Sequence, residues 1–281
     1  MGCRVSGDVR AIRKQPTTLD THNPVMKITF LGTGTSHGIP AIGCDCAVCT
    51  SPDPRNRRRR SSLYVVADDF HVVIDTPPDF RDQVLTFDVS RVDAVLLTHS
   101  HADHVFGFDD VRRFCFMQKM RIPIHGSPET LAAMRRAFSY IFTDTIWRST
   151  VPQVDFHEMT APIAVGPLHV EPLDVAHGPM RVYGFLLRHA GRSLAYIPDC
   201  SEVEPAMMDR LRGTDVVILD ALRRKPHPTH LCLPDAVRIL QDIGADASYL
   251  THLCHDLEHD RTQAELPPRI FVAHDGLTVE W

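Results

Sequence analysis

Thr98-His99-Ser100-His101-Ala102-Asp103-His104 follows directly on Val92-Asp93-Ala94-Val95-Leu96-Leu97, so three imidazoles and a carboxylate occupy six consecutive positions after an apolar run. The run reads as a buried strand. Beyond it, Val105, Phe106, Phe108, Val111 and Phe114 recur with helical spacing, which predicts a helix to about Lys119 and places the cluster on a strand-to-helix turn. On such a turn His99 and His101 can converge on one ion while Asp103 and His104 reach a second. Imidazole and carboxylate together suit zinc, manganese or iron. A solvated turn has little structural use for so dense a cluster, whereas a dinuclear site needs it.

Working outward, Met26 to Leu31 reads as the first strand, and Gly32-Thr33-Gly34-Thr35-Ser36-His37-Gly38 as a tight loop after it. That loop has neither the lysine of a phosphate loop nor the spacing of a dinucleotide fingerprint. Ser62 to Val66 and His71 to Asp75 flank Asp68-Asp69 as a hairpin, and a helix is expected from about Pro78 to Leu85. Ile122 to His125 is a short strand, and Ser127 caps a helix running to about Phe142, with Glu129 in its first turn. The stretch from 142 to 159 reads as a lid or insertion. Strands are expected at 168–173, 182–187, 193–197, 215–219 and 247–250, with helices at 202–211 and 234–243. Two mixed β/α halves of this kind suit a pair of sheets packed face to face with helices outside.

The 281 residues are 43% hydrophobic, enough for one substantial domain, expected over 26–281. Residues 1 to 25 are polar and aperiodic and read as a flexible extension. Met1-Gly2-Cys3-Arg4-Val5-Ser6 fits the loose N-myristoylation pattern, but the motif is too short to outweigh that reading. A net charge of −5 supplies no global field for nucleic acid. The run Arg57-Arg58-Arg59-Arg60 is read as a solvated loop in preference to a phosphate contact. Eight cysteines, three of them crowded together, do not make a disulfide framework, and no apolar stretch is long enough to span a bilayer. A reducing cytoplasm is expected, with no membrane partner. A homodimer is compatible with the sequence, which does not fix the oligomeric state.

Three later residues sit where ligands would: His177, Asp199 and His252, each following a predicted strand as the first cluster does. If these strands converge, seven side chains form two sites: His99, His101 and His177 on one ion, Asp103, His104 and His252 on the other, with Asp199 bridging. Two ions so placed can hold a hydroxide and clamp a phosphoryl group during in-line displacement. Asp75, at a strand end near the cluster, is placed to orient a ligand imidazole.

His99-Ser100-His101-Ala102-Asp103-His104, with His177, Asp199 and His252 in order, resembles the signature of the metallo-β-lactamase superfamily. The resemblance covers 26–281 and implies an α/β fold, the αββα four-layer sandwich with a dinuclear site at one edge. Cys44-Asp45-Cys46-Ala47-Val48-Cys49 and Thr251-His252-Leu253-Cys254-His255 refine it. Three thiolates at C-x-C-x-x-C spacing with one histidine make a closed Cys₃His zinc set, hence structural. This resembles the PhnP-like family of phosphoribosyl cyclic phosphodiesterases, and by that match His255 is the fourth ligand. Cys254 is the alternative, though an adjacent position on an extended segment points the other way.

The same match places His230, in Asp220-Ala221-Leu222-Arg223-Arg224-Lys225-Pro226-His227-Pro228-Thr229-His230, as a residue that assists the chemistry. What the resemblance implies is a metal-dependent phosphodiesterase. It carries two catalytic divalent ions, manganese or zinc, and one structural zinc, and acts on a small ribose-linked, nucleotide-like phosphodiester such as phosphoribosyl 1,2-cyclic phosphate. A hydroxide held by the ion pair would attack, with His230 protonating the departing oxygen and Asp103 and Asp199 holding the reactive site. Its rivals are a tRNA 3′-end endonuclease of the same superfamily, a thioester hydrolase of the glyoxalase type and a non-catalytic sensor on the same pocket. The first lacks a basic arm, the second is disfavoured by the cysteine set and by Asp103, and the third has no use for a complete ligand set.

Overall fold

The computed structural model describes residues 26–143 and 151–281, so the expected extension at 1–25 lies outside the described residues, as does the middle of the 142–159 stretch. The chain opens with β1 (Met26–Gly32), β2 (Ser62–Ala67) and β3 (Phe70–Ile74), then α1 (Phe80–Thr86), β4 (Ala94–Leu96), α2 (Ala102–Val105) and α3 (Val111–Gln118). β5 (Ile122–Gly126), α4 (Pro128–Ala137) and β6 (Val154–Glu158) complete the first half. The second half runs through β7 (Ile163–Val165), β8 (Leu168–His177), β9 (Met180–His189), β10 (Arg192–Ile197), α5 (Pro205–Leu211) and β11 (Val216–Asp220). It closes with α6 (Leu233–Ile243), β12 (Ala247–Thr251), α7 (His259–Glu265), β13 (Ile270–Val272) and β14 (Thr278–Glu280).

Two seven-stranded sheets result, ordered β14-β1-β2-β3-β4-β5-β6 and β13-β12-β11-β10-β9-β8-β7. Their packing follows from the period of two along a strand. Val72 and Ile74 on β3 point between the sheets, where they share a core with Leu194 and Tyr196 of β10. The intervening Val73 faces outward beneath α3 and α4, and Ala195 and Ile197 face outward beneath α5 and α6. Helix, sheet, sheet and helix therefore form the four layers expected. Among the described residues no helix is long and apolar enough to cross a membrane.

The helix predicted from Asp103 to Lys119 is broken into α2, a 3₁₀ turn at Phe108–Asp110, and α3. Gly107 is the reason. Its N–H donates to Thr76 O at 2.9 Å instead of within the helix, and a Cβ there would lie 2.0 Å from Pro77 O. The break packs the metal-type cluster against the end of β3. The helix from Ser127 also ends early, at Ala137, with a 3₁₀ turn at Ser139–Phe142. Part of the stretch read as a lid or insertion is β6, paired parallel to β5.

Candidate metal centre

All seven predicted residues meet at one edge of the sandwich, because the strands that deliver them end there. Thr98 to His104 follows β4, His177 ends β8, Asp199 follows β10 and His252 follows β12. His99, His101 and His177 bring nitrogens within 4.8 Å of one another, and so do Asp103, His104 and His252 with their oxygen and nitrogens. Asp199 stands between the two groups. Its Oδ2 lies 3.7 Å from His99 Nε2, while its Oδ1 lies 3.4 Å from His104 Nε2 and 3.3 Å from His252 Nε2. Asp103 Oδ2 is 3.5 Å and 3.6 Å from the same two nitrogens.

These donors fit a metal ion. Ligands about 2.0 to 2.1 Å from a tetrahedral centre stand about 3.3 to 3.4 Å apart, close to the spacings around Asp199 Oδ1. Nε2 of His104, Nε2 of His252 and Oδ1 of Asp199 are moreover buried with no hydrogen-bond partner. Uncompensated burial of three such atoms is costly, and a shared cation would satisfy all three.

The surrounding side chains fix which ring nitrogens face the centre. His104 Nδ1 donates to Asp75 Oδ2 at 2.8 Å, which leaves Nε2 for the centre, and His177 Nδ1 donates to Thr229 O at 2.8 Å with the same effect. Asp75 takes the orienting place expected of it. It is fully buried and also accepts from the Thr98 amide and hydroxyl at 2.8 and 2.7 Å. Burial opposes charge on His104, yet the carboxylates of Asp199 and Asp75 outweigh it and hold that imidazole well above its ordinary pKa. His99 has less carboxylate around it, and burial pushes it well below.

His230 lies beside this set, its ring stacked on His252 with centroids 4.7 Å apart. Its Nδ1 donates to Asp220 Oδ2 at 2.8 Å, and that oxygen also accepts from the Cys200 amide at 3.1 Å. Asp220 has no exposure at all. Burial lowers the His230 pKa and raises that of Asp220 well above the carboxylate range, so the proton belongs to the pair. Sequence reading passed over Asp220 although it ends β11, as Asp75 follows β3 and Asp199 follows β10. Three strand-end acids at one edge, Asp75, Asp199 and Asp220, were the available signal. His230 also comes within ligand range of His177 and Asp199.

The second donor set forms where expected. Sγ of Cys44, Cys46 and Cys49 lie 3.3, 3.7 and 3.6 Å from His255 Nδ1. A tetrahedron with Zn–S of about 2.3 Å and Zn–N of about 2.0 Å has S–N edges near 3.5 Å, so these residues fit zinc as well. Cys254 is turned away, its sulfur accepting from the Asp256 amide at 3.3 Å. The arginine run is not the solvated loop expected. Arg58 is 1% exposed, Arg59 pairs with Asp82 and Asp275, and Arg60 pairs with Asp79.

A β-lactamase superfamily domain matches residues 71–253. The chain belongs to that superfamily. Among solved structures, a diphosphatase of the PhnP family superimposes with a TM-score of 0.85 at 42% identity, covering 92% of this chain and 97% of that one. The assignment therefore narrows to the PhnP family within the superfamily. Zinc-bound PqqB from Methylobacterium extorquens shares the fold, with a TM-score of 0.73 at 20% identity over 90% of this chain and 99% of that one. A Porphyromonas gingivalis protein named octanoyltransferase is 34% identical over 257 residues. The match takes in 90% of this chain but only 51% of that protein, so this member of the superfamily spans about half the relative's length.

Proposed function

We propose that the chain is a divalent-metal-dependent hydrolase of small phosphodiesters, with a cyclic, ribose-linked ester such as phosphoribosyl 1,2-cyclic phosphate as its substrate. One observation carries the reading: the two oxygens of Asp199 are divided between two groups of imidazole and carboxylate donors. A bridging carboxylate of that kind serves a pair of ions rather than one. On this reading His99, His101 and His177 hold the first ion, and Asp103, His104 and His252 the second. Bound there, the ions would acidify a water and neutralise charge on phosphoryl oxygens.

The chain's own residues do the rest. Asp75 and Thr229 lock the tautomers of His104 and His177. A proton shared between His230 Nδ1 and Asp220 Oδ2 leaves Nε2 to carry a second, the one it would deliver to a departing alkoxide. The cysteine set anchors the loop after β1 to the C-terminal half.

Hydrolysis of a diphosphate linkage is the second reading, favoured by the name of the 42% identical relative. A tRNA substrate is disfavoured because three arginines of the run are internally satisfied. The transferase name of the Porphyromonas gingivalis relative is not brought over, since about half of that protein lies outside the match.

The test is a panel of substrates offered to manganese- or zinc-loaded protein: a ribose cyclic phosphodiester, its linear counterpart, a diphosphate diester, a tRNA precursor and a thioester. The cyclic ester should show the highest kcat/KM, by about tenfold or more, equivalent to about 1.4 kcal/mol of transition-state discrimination. A preference for the diphosphate selects the second reading. Binding of a phosphodiester with no turnover of any substrate would make the protein a sensor instead.

Stoichiometry gives an independent check. Purified protein should carry about three ions per chain, and mild chelation should remove two with the activity while the thiolate-held zinc stays. Cys46→Ser should lose that zinc and melt at lower temperature, yet turn over normally at saturating metal. A Cys46→Ser protein with unchanged melting and no activity would overturn the division between the two donor sets.

A further inference from the structure

The two donor sets are joined by one short piece of backbone: His252 belongs to the first and His255 to the second. The piece is held from several directions. His252 sits at φ 57°, a left-handed conformation that residues with a Cβ seldom adopt without support. Leu253 N donates to Thr33 O at 2.9 Å, Thr35 N donates to Leu253 O at 3.2 Å, and Cys254 N donates to Leu222 O at 2.9 Å.

Beneath the piece lies Arg58, the bulkiest of the fully buried side chains. Its Nη1 donates to Cys254 O at 3.0 Å and its Nη2 to Leu257 O at 2.6 Å, so its planar fork clamps both sides of His255. The same Nη2 reaches Asn56 Oδ1 at 3.4 Å. The Arg58 main chain exchanges two 2.8 Å hydrogen bonds with Ile39, at the start of the loop that carries the cysteines. Arg58 thus grips the cysteine side with its backbone and the histidine side with its guanidinium. Burial lowers its pKa to about 10, which leaves it charged at neutral pH. No carboxylate forms an ion pair with it among the described residues. A buried cation that is hydrogen-bonded to carbonyl oxygens and feels Asp275, Glu258 and Asp53 only from beyond ion-pair distance is costly to keep, and apolar packing alone would not require one.

We propose that Arg58 is a positioning residue that holds residues 252–257 in one geometry, so that metal in the Cys₃His set and metal in the Asp103, His104, Asp199 and His252 set bind cooperatively. The proposal rests on reading both sets as metal sites. Filling the thiolate set fixes His255, the Arg58 clamp transmits that restraint to Cys254, and His252 loses freedom it would otherwise have to give up on binding. The coupling is reciprocal by linkage, and couplings of this kind amount to about 5- to 150-fold in affinity. His99, His101 and His177 stand on other elements and lie outside it.

The experiment measures binding rather than turnover. Apo protein is reconstituted with zinc at the thiolate set, and Mn²⁺ is titrated with detection by electron paramagnetic resonance. The titration is repeated after Cys44, Cys46 and Cys49 have been capped with an organomercurial, with a Cys254→Ala control because Cys254 is also a free thiol and lies within residues 252–257. Capping should weaken the second Mn²⁺ by about tenfold or more and leave the first unchanged. Arg58→Met should weaken zinc retention and the second Mn²⁺ together, by about 10- to 100-fold, the scale found when outer partners of metal ligands are removed. Arg58→Lys, able to keep one carbonyl bond, should fall between.

Unchanged Mn²⁺ affinities after capping would overturn the coupling. So would an Arg58→Met protein that melts earlier but keeps wild-type affinities, since a purely structural arginine predicts that pattern. If Arg58→Met does not fold, the capped wild-type protein decides. Wild-type protein that binds no Mn²⁺ at all would overturn the metal reading of the seven-residue set itself, a result distinct from two uncoupled sites.

Discussion

Replacing Asp199 with alanine should abolish turnover, by at least about 10³-fold, the scale lost when electrostatic stabilisation at a reacting oxygen is removed. The reason is its position between the two groups of donors, one oxygen toward His99 and the other toward His104 and His252. Among the described residues Asp199 is the carboxylate whose two oxygens are divided between the groups, since Asp103 reaches only His104 and His252, so no neighbouring acid can substitute for it. The fold should survive, because Asp199 follows β10 and contributes nothing to either apolar core. Initial rates, ion content and melting temperature on one preparation check the three parts of this expectation. Retained activity with both exchangeable ions still bound would remove Asp199 from the bridging role.

The second large effect should come from His230, and only with some substrates. General acid catalysis contributes about 10² to 10⁴ in rate where the leaving group needs a proton. His230→Ala should therefore lose that much on a ribose-type alkoxide and far less on p-nitrophenolate, while keeping its full metal content. The competing role is set by the geometry itself, since His230 also lies in ligand range of His177 and Asp199. A missing ion in the variant, or equal losses on both substrates, would assign His230 to the metal instead. Asp220→Asn offers a complementary measurement. It keeps the shape but removes the carboxyl group that shares the Nδ1 proton, so the same leaving-group dependence should appear in weaker form.

The donors were legible in the sequence because each lies at the end of an apolar run, and buried strands announce themselves by such runs. β4, β10 and β12, which lead to His99, Asp199 and His252, are of that kind. Elements with little apolar content were not legible. α7 buries only His259 and Thr262 and shows no apolar period, so its one sequence signal was Glu258, which caps the Arg261 amide. β14 and the outer part of β6 are largely exposed, and a sheet edge gives no alternating pattern to read. The break at Gly107 was hidden because the apolar spacing continues through it; the close approach of Pro77 that requires glycine comes from another part of the chain. Arg58 was misread for a similar reason. Its partners are carbonyls near residue 255, and nothing in a run of arginines indicates which one will be swallowed by the core.

The pairing of β14 with β1 has a consequence for how the molecule is assembled. Lys27 lies opposite Glu280 and Thr29 opposite Thr278, so the first sheet includes a contact between the two extremes of the described chain. Closing a loop of roughly 250 residues costs about 5 kcal/mol in chain entropy on the logarithmic scaling, and three paired residues do not recover that by themselves. β14 must therefore add to a sheet whose other strands have already been brought together, and it is the natural last event in folding and the first to be undone. Contact order in this molecule is raised by a strand of only three residues. Met26 and Trp281 are left side by side, exchanging hydrogen bonds at 3.4 and 3.1 Å, so loss of this pairing would free the edge of β1 along its whole length.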